Sequence, residues 1–160
     1  NQIVLEILSL SSVQELAGNK EWIQLDQVVE QILDQYKVLA QSRALTIDNQ
    51  IPDKAVYMDP AILKLVLSNV ISNAVKHSDA GGEIQLRLEE EGTHLAIENA
   101  SQEMVETAEL PMTASRQKKE GGLGLFVVQH LLDHEELAYQ FDKTAMGLRF
   151  RMELPKEPQE

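Results

Sequence analysis

The sequence predicts an α+β fold, a two-layer sandwich in which helices cover one face of a mixed sheet. Three observations carry this. Residues 59–78, DPAILKLVLSNVISNAVKHS, read as one long capped helix. Two stretches, 84–97 and 139–154, alternate apolar and polar residues on either side of turns, as paired strands do. The helices and strands also fail to alternate as regular βαβ units, which rules against a parallel α/β sheet.

Taken in order, residues 1–17 place Ile3, Ile7 and Leu10 on one stripe, widened by Leu5, Leu8, Val13 and Leu16, a helix face broad enough to need a partner. Gly18, Asn19 and Lys20 punctuate its end. Val28, Val29, Ile32, Leu33, Tyr36 and Leu39 then predict a second helix from about Leu25 to Ser42, packed by one face on a sheet. Residues 44–49 and 55–58 are short strands separated by a Pro52-Asp53 turn.

The helix over 59–78 opens with Asp59 as a cap and Pro60 in its first turn, where a missing N–H costs nothing. Leu63, Val66, Leu67, Val70 and Ala74 share one face. Asn69, Asn73, Lys76 and His77 fall in a strip about 100° wide on its border. Two Asn on a helix read equally well as polar surface or as ligand groups, and this helix alone does not decide.

Asp79-Ala80-Gly81-Gly82 ends the helix. Ile84, Leu86 and Leu88, a Glu91-Gly92 turn, and Leu95 and Ile97 make a hairpin. Residues 98–122 show no period, and a connection of that length in a compact domain reads as a functional loop or lid. Leu123 to Leu132 is apolar enough for a buried helix. Tyr139 and Phe141 precede the clearest strand, in which Met146, Leu148, Phe150, Met152 and Leu154 alternate strictly, and the polar tail begins at Pro155.

Composition narrows the function. The 160 residues fit about one domain, with no cysteine for disulfides or thiolate metal sites. His77, His94, His130 and His134 form no familiar metal-ligand spacing. A formal charge of −12 argues against a nucleic-acid surface, and no apolar run approaches the ~18 to 20 residues that span a bilayer. The chain opens on Asn in a mid-helix pattern, which reads as an excerpt of a longer protein.

Glu120-Gly121-Gly122-Leu123-Gly124-Leu125 is a glycine-rich loop running into a helix. Glycines admit a ligand close to the backbone, and a helix N-terminus presents unpaired N–H groups to an anion such as phosphate. The loop matches neither a P-loop nor GxGxxG, and by itself it is equally a plain turn.

In order and separation, NVISNAVKHS resembles the N-box of sensor histidine kinases, GGLGLFVVQHLL their second glycine box and GLRFRMELP their closing strand. ILSLSSVQEL is similar to the end of their dimerisation hairpin. The resemblance implies the Bergerat ATP-binding fold, a mixed sheet backed by three helices. Residues 1–19 would be the end of the dimerisation and phosphoacceptor hairpin with its linker, 20–156 the catalytic domain and 157–160 a frayed tail.

It also implies ATP and Mg²⁺ as cofactors, with transfer of the γ-phosphoryl to a His on a dimerisation domain. Partners would be a response regulator receiver domain and a second copy of the full-length protein. The location would be the cytoplasmic part of a membrane-bound sensor.

Carried over by residue, Asn73 takes the place of the Mg²⁺ ligand and, with Lys76, of the catalytic groups. Asn69 is the Asn one turn earlier, and His77 stands where an aromatic ring flanks adenine. Gly121, Gly122, Leu123, Gly124 and Leu125 form the phosphate cradle. Arg116, Lys118 and Lys119 lie in the presumed lid, as phosphate-neutralising groups or as a solvated basic turn.

The sequence departs from that pattern at three places. Asn99 stands where the first glycine box has an adenine-reading Asp, and Ser101 replaces its first Gly. Losing the carboxylate's charge assistance there costs about 1 kcal/mol. The lid from Ser101 to Gly122 is short, and Glu120 replaces a Gly. These departures motivate a second reading, a nucleotide-free scaffold of the same fold. The phosphoacceptor motif is absent, with His134 read as a turn residue, and Asn69 occupies the position where related ATPases carry a hydrolytic Glu, which favours a kinase.

Overall fold

A computed structural model describes residues 20–101 and 122–156. The expected helix over 1–17, the lid and the tail from residue 157 lie outside the described residues. The elements run β1 (Glu21–Gln24), α1 (Leu25–Gln35), α2 (Lys37–Ser42), β2 (Thr46–Asn49), β3 (Ala55–Met58), α3 (Pro60–His77), β4 (Glu83–Glu89), β5 (His94–Ala100), α4 (Gly122–His134), β6 (Tyr139–Lys143) and β7 (Gly147–Glu153). Five strands form one sheet in the order β2-β4-β5-β7-β6, and β1 pairs with β3 in a separate ribbon. β2 and β4 are parallel and the other pairs antiparallel, so the main sheet is mixed as expected.

Period-two patterning places the apolar residues. Ile84 and Leu86 of β4, Leu95 and Ile97 of β5, Phe141 of β6, and Phe150 and Met152 of β7 join one core with residues of α1, α3 and α4. The opposite face carries an ion-pair network. Arg87 lies 2.9 Å from Glu89 and 3.1 Å from Glu98, Arg149 lies 2.9 Å from Asp142, and Arg151 lies 3.0 Å from Glu89 and contacts Glu90. The hydrogen bond to Asp142 raises the Arg149 pKa above its ordinary value and keeps the guanidinium charged.

Helix α3 is the central piece. The expected apolar face is buried, but so are Ile62, Ile71 and Val75, because the helix packs on β5 and touches both α1 and α4. At roughly 1.5–3 kcal/mol per buried aliphatic side chain, this packing outweighs the modest helix propensity of a stretch rich in Val, Ile and Asn.

Two expectations are corrected. The helix over 25–42 is interrupted at Tyr36, whose N–H is shared between Ile32 O at 3.3 Å and Leu33 O at 3.2 Å, a tightening that closes α1. Beyond it Ala40 is buried, whereas Val38 and Leu39 are exposed, so the apolar stripe does not continue onto the core. The backing comprises α1, α3 and α4, as expected, and the short α2 packs against α1 and α3.

Residues 21–24, for which the sequence gives no element, form β1. Its four residues show no clear alternation, and its pairing with β3 is a long-range event, with Trp22 opposite Tyr57 and the ring centroids 5.5 Å apart. Finally, residues 98–100 continue β5 instead of starting the loop, because Asn99 and Ala100 pair with Leu148 and Gly147 of β7.

At that last pair the strands approach closely. A Cβ on Gly147 would lie 2.2 Å from Asn99 O and 2.5 Å from Ser101 N, so only glycine fits. Gly147→Ala is expected to cost about 2 kcal/mol and to lower Tm by several degrees, as read by differential scanning calorimetry. A melt identical to that of the parent would show that the strand ends can separate without cost.

Candidate functional site

The site begins with what holds α3 in place. At its start the Asp59 carboxylate accepts from the Ala61 N–H at 2.8 Å, with Pro60 at the first position, as the sequence predicts. At its end the ties run to other elements. The Asp79 N–H donates to Ala100 O at 2.9 Å, the Gly81 N–H donates to Arg43 O at 2.9 Å, and the Arg43 guanidinium donates to the Ser78 carbonyl. The C-terminal turn of α3 is thereby fastened to the end of β5 and to the segment following α2.

Between these elements lies a small, partly open cleft. α3 contributes Val70, Asn73 and Ala74, β5 contributes Ile97 and Asn99, and α4 contributes Leu125. Its remaining wall is Phe141, Leu148 and Phe150, and the Phe141 and Phe150 rings stand 5.3 Å apart. Sequence reasoning did not pick out these apolar residues. The signal was available in the alternation of Ile97 with Asn99 and of Leu148 with Phe150, combined with the cross-strand pairs Ile97 to Phe150 and Asn99 to Leu148.

Two amides sit in this apolar lining. Asn73 is 8 % exposed and Asn99 only 5 %, and the Asn99 Nδ2 has no hydrogen-bond partner among the described residues. A buried amide N–H without an acceptor is costly, so its presence in a cleft wall points to a ligand group.

The structure thus brings Asn73, Asn99 and Leu125 together. Ser101, two residues beyond Asn99, is fully buried and has its own partner. Gly122, Leu123 and Gly124 form the first turn of α4, immediately before Leu125.

Other predicted residues stand apart from the cleft wall. Asn69 is half-buried and donates its amide N–H to Leu65 O at 2.7 Å on its own helix. Lys76 is exposed and His77 half-buried on the last turn of α3, and neither lines the cleft. Arg116, Lys118, Lys119, Glu120 and Gly121 lie outside the described residues. His130 and His134 are exposed, the latter against Glu135 at 3.2 Å, and His94 pairs with Glu90 at 3.0 Å.

Chemically, the cleft offers an apolar lining with the neutral donors and acceptors of two amides on its walls. Among the described residues no group of three or more His, Cys, Asp or Glu could hold a metal ion. A hard cation would therefore find one amide oxygen, that of Asn73, and would need its remaining ligands from a bound anion and water.

Residues 58–158 match the family described as histidine kinase-, DNA gyrase B- and HSP90-like ATPases. The chain is 30 % identical over 163 residues to the sensor histidine protein kinase HK06 of Streptococcus pneumoniae, a match covering 96 % of this chain and 36 % of that protein. It is 29 % identical over 164 residues to the sensor protein VanSB of Enterococcus faecalis, covering 95 % and 36 % respectively. The chain thus spans about a third of the length of these curated relatives. Among solved structures, the histidine kinase AdeS of Acinetobacter baumannii superposes with a TM-score of 0.76 at 23 % identity, over 96 % of this chain and 77 % of that one, a likeness of fold.

The fastening of α3 is open to test. Arg43→Ala removes the donor to the Ser78 carbonyl and is expected to lower amide protection at Ser78 and Asp79 about tenfold in native-state hydrogen exchange. Unchanged protection at both would show that the backbone ties suffice without the guanidinium.

Proposed function

The chain belongs to the family of histidine kinase-, DNA gyrase B- and HSP90-like ATPases and is the ATP-binding catalytic domain of a sensor histidine kinase, and from that premise we propose that it transfers the γ-phosphoryl of Mg-ATP to a histidine on a dimerisation domain. In the same reading, residues 20–156 form the catalytic domain and 1–19 the end of the dimerisation hairpin with its linker. The phosphohistidine then serves a response regulator receiver domain, and the full-length protein works as a homodimer. The observation that carries the proposal is the meeting of Asn73, Asn99 and Leu125, which directly follows the first turn of α4, around one apolar cleft.

Each residue has a physical task. The apolar wall takes the purine ring, and Asn99 faces its polar edge. Asn73 offers a hard amide oxygen to Mg²⁺, which when bound neutralises phosphate charge. The N–H groups at the start of α4, with Gly122 and Gly124 admitting close approach, receive the phosphates. Lys76, exposed on the last turn of α3, supplies a mobile cation, and Arg116 and Lys118 add charge from the lid.

The transfer itself forms a bond from an imidazole nitrogen to phosphorus as the bond to the β–γ bridging oxygen breaks, with ADP as the leaving group. The catalytic domain's share is positioning and charge neutralisation. Asn69 supports transfer over hydrolysis. Its amide N–H is engaged by Leu65 O, and an amide is no general base for water.

Calorimetric titration with a non-hydrolysable ATP analogue tests this reading. With Mg²⁺ present, Asn73→Ala is expected to weaken binding at least about tenfold, roughly 1.4 kcal/mol, and with Mg²⁺ chelated the two proteins should bind alike. No heat from the parent at millimolar nucleotide would overturn nucleotide binding. Equal affinity of both proteins in Mg²⁺ would overturn the role given to Asn73.

A further inference from the structure

The Asn99 side chain carries more information than its place in the cleft. Its position in the chain is firmly set, because Asn99 pairs with Ile84 on one side and with Leu148 on the other, and its carbonyl oxygen abuts Gly147. Its freedom is therefore confined to its own side-chain torsions. The neighbouring charge is turned away. Glu98, the preceding residue, lies on the opposite face of the sheet in contact with Arg87 at 3.1 Å.

What remains at the wall is a neutral, nearly buried amide whose N–H group has no partner among the described residues. A carboxylate in that place would only accept hydrogen bonds, and its burial among Val70, Ile97 and Leu148 would carry the cost of an unpaired charge. An amide both donates and accepts in one plane, and a half turn about its last torsion exchanges the two.

Turned one way, it gives its oxygen to a 6-amino group and its N–H to an unprotonated ring nitrogen. Turned the other way, it gives its N–H to a 6-oxo group and its oxygen to a protonated ring N–H. Both purine classes are matched on the same edge by two hydrogen bonds.

We propose that Asn99 makes this a general purine site, one that takes 6-oxopurine nucleotides about as well as adenine nucleotides, with Asn99 as the residue that sets this breadth. The proposal rests on the nucleotide-binding reading above and names the range of bases that the cleft admits. It assigns the orphaned Asn99 N–H a function, since a 6-oxo group is the acceptor it lacks. The apolar wall does not discriminate, because Phe150, Ile97 and Val70 meet the ring by its flat faces and edges without reading its hydrogen-bonding groups.

The test compares Mg-ADP with Mg-IDP by calorimetry, since hypoxanthine differs from adenine only at position 6 and in the proton on N1. For the parent protein the two dissociation constants are expected to agree within about fivefold, as two hydrogen bonds are made in each case. In Asn99→Leu, which keeps the size but has neither donor nor acceptor, both dissociation constants should rise at least about tenfold, since two hydrogen bonds are lost with either base.

A parent protein that prefers ADP by more than about fiftyfold overturns the proposal. So does an affinity for both nucleotides left unchanged in a folded Asn99→Leu variant. If that variant does not fold, the parent's own ratio still decides. Binding of ADP without IDP would remove only the general-purine proposal, whereas binding of neither at millimolar concentration would remove the nucleotide reading with it.

Discussion

Burial of α3 on two sides constrains everything else in this protein. Ile62, Leu63, Val66, Leu67, Val70, Ile71, Ala74 and Val75 are all buried, so more than half of the helix circumference is committed to the sheet and to the neighbouring helices. A helix packed in this way cannot rotate about its axis without exposing several aliphatic side chains. Asn73 is accordingly held at the cleft by the packing of its neighbours on the helix, of which Ile62, Leu63, Val66, Leu67, Ile71 and Val75 do not line the cleft. The ties from Asp79 to Ala100 and from Arg43 to Ser78 extend that constraint to β5, which fixes Asn99 relative to Asn73.

The charge distribution follows from the same two-layer arrangement. With one face of the sheet given to the core, Arg87, Arg149 and Arg151 gather on the other face and are matched there by Glu89, Glu90, Glu98 and Asp142. These arginines are consumed by a surface network and lie across the sheet from the cleft. In a chain of net charge −12, Lys76 on the last turn of α3 is by contrast exposed. The cleft itself combines an apolar wall with the neutral amides of Asn73 and Asn99.

Much of the fold was legible because its signals are local. Asp59 and Pro60 announce the start of α3, and Glu91-Gly92 marks a hairpin in which Gly92 adopts a φ of +88°. Alternation from Leu148 to Met152 names the face of β7 that meets the core. What escaped was non-local. β1 exists because β3 is there to pair with it, the helix break at Tyr36 separates a stripe that looked continuous, and β5 runs on to Ala100 because Gly147 permits β7 to lie against it. In each of these places a partner distant in sequence decided the outcome, and no pattern within the segment records a partner.

The candidate site divides along the same line. The sequence by itself determined which residues are the candidates: the amides at 69, 73 and 99, the cation at 76 and the glycine loop before Leu125, since residue type and spacing are properties of the chain. Only the tertiary structure decided which of them meet. It brought Asn73, Asn99 and Leu125 to one cleft, turned Asn69 back onto Leu65 O, left Lys76 in solvent, and added a wall of Ile97, Phe141, Leu148 and Phe150 that had read as ordinary core. The physical reason is that a cleft is a shortfall of packing among elements remote in sequence. Its location depends on how two helices and three strands fit together, and that fit is settled by long-range burial and strand register.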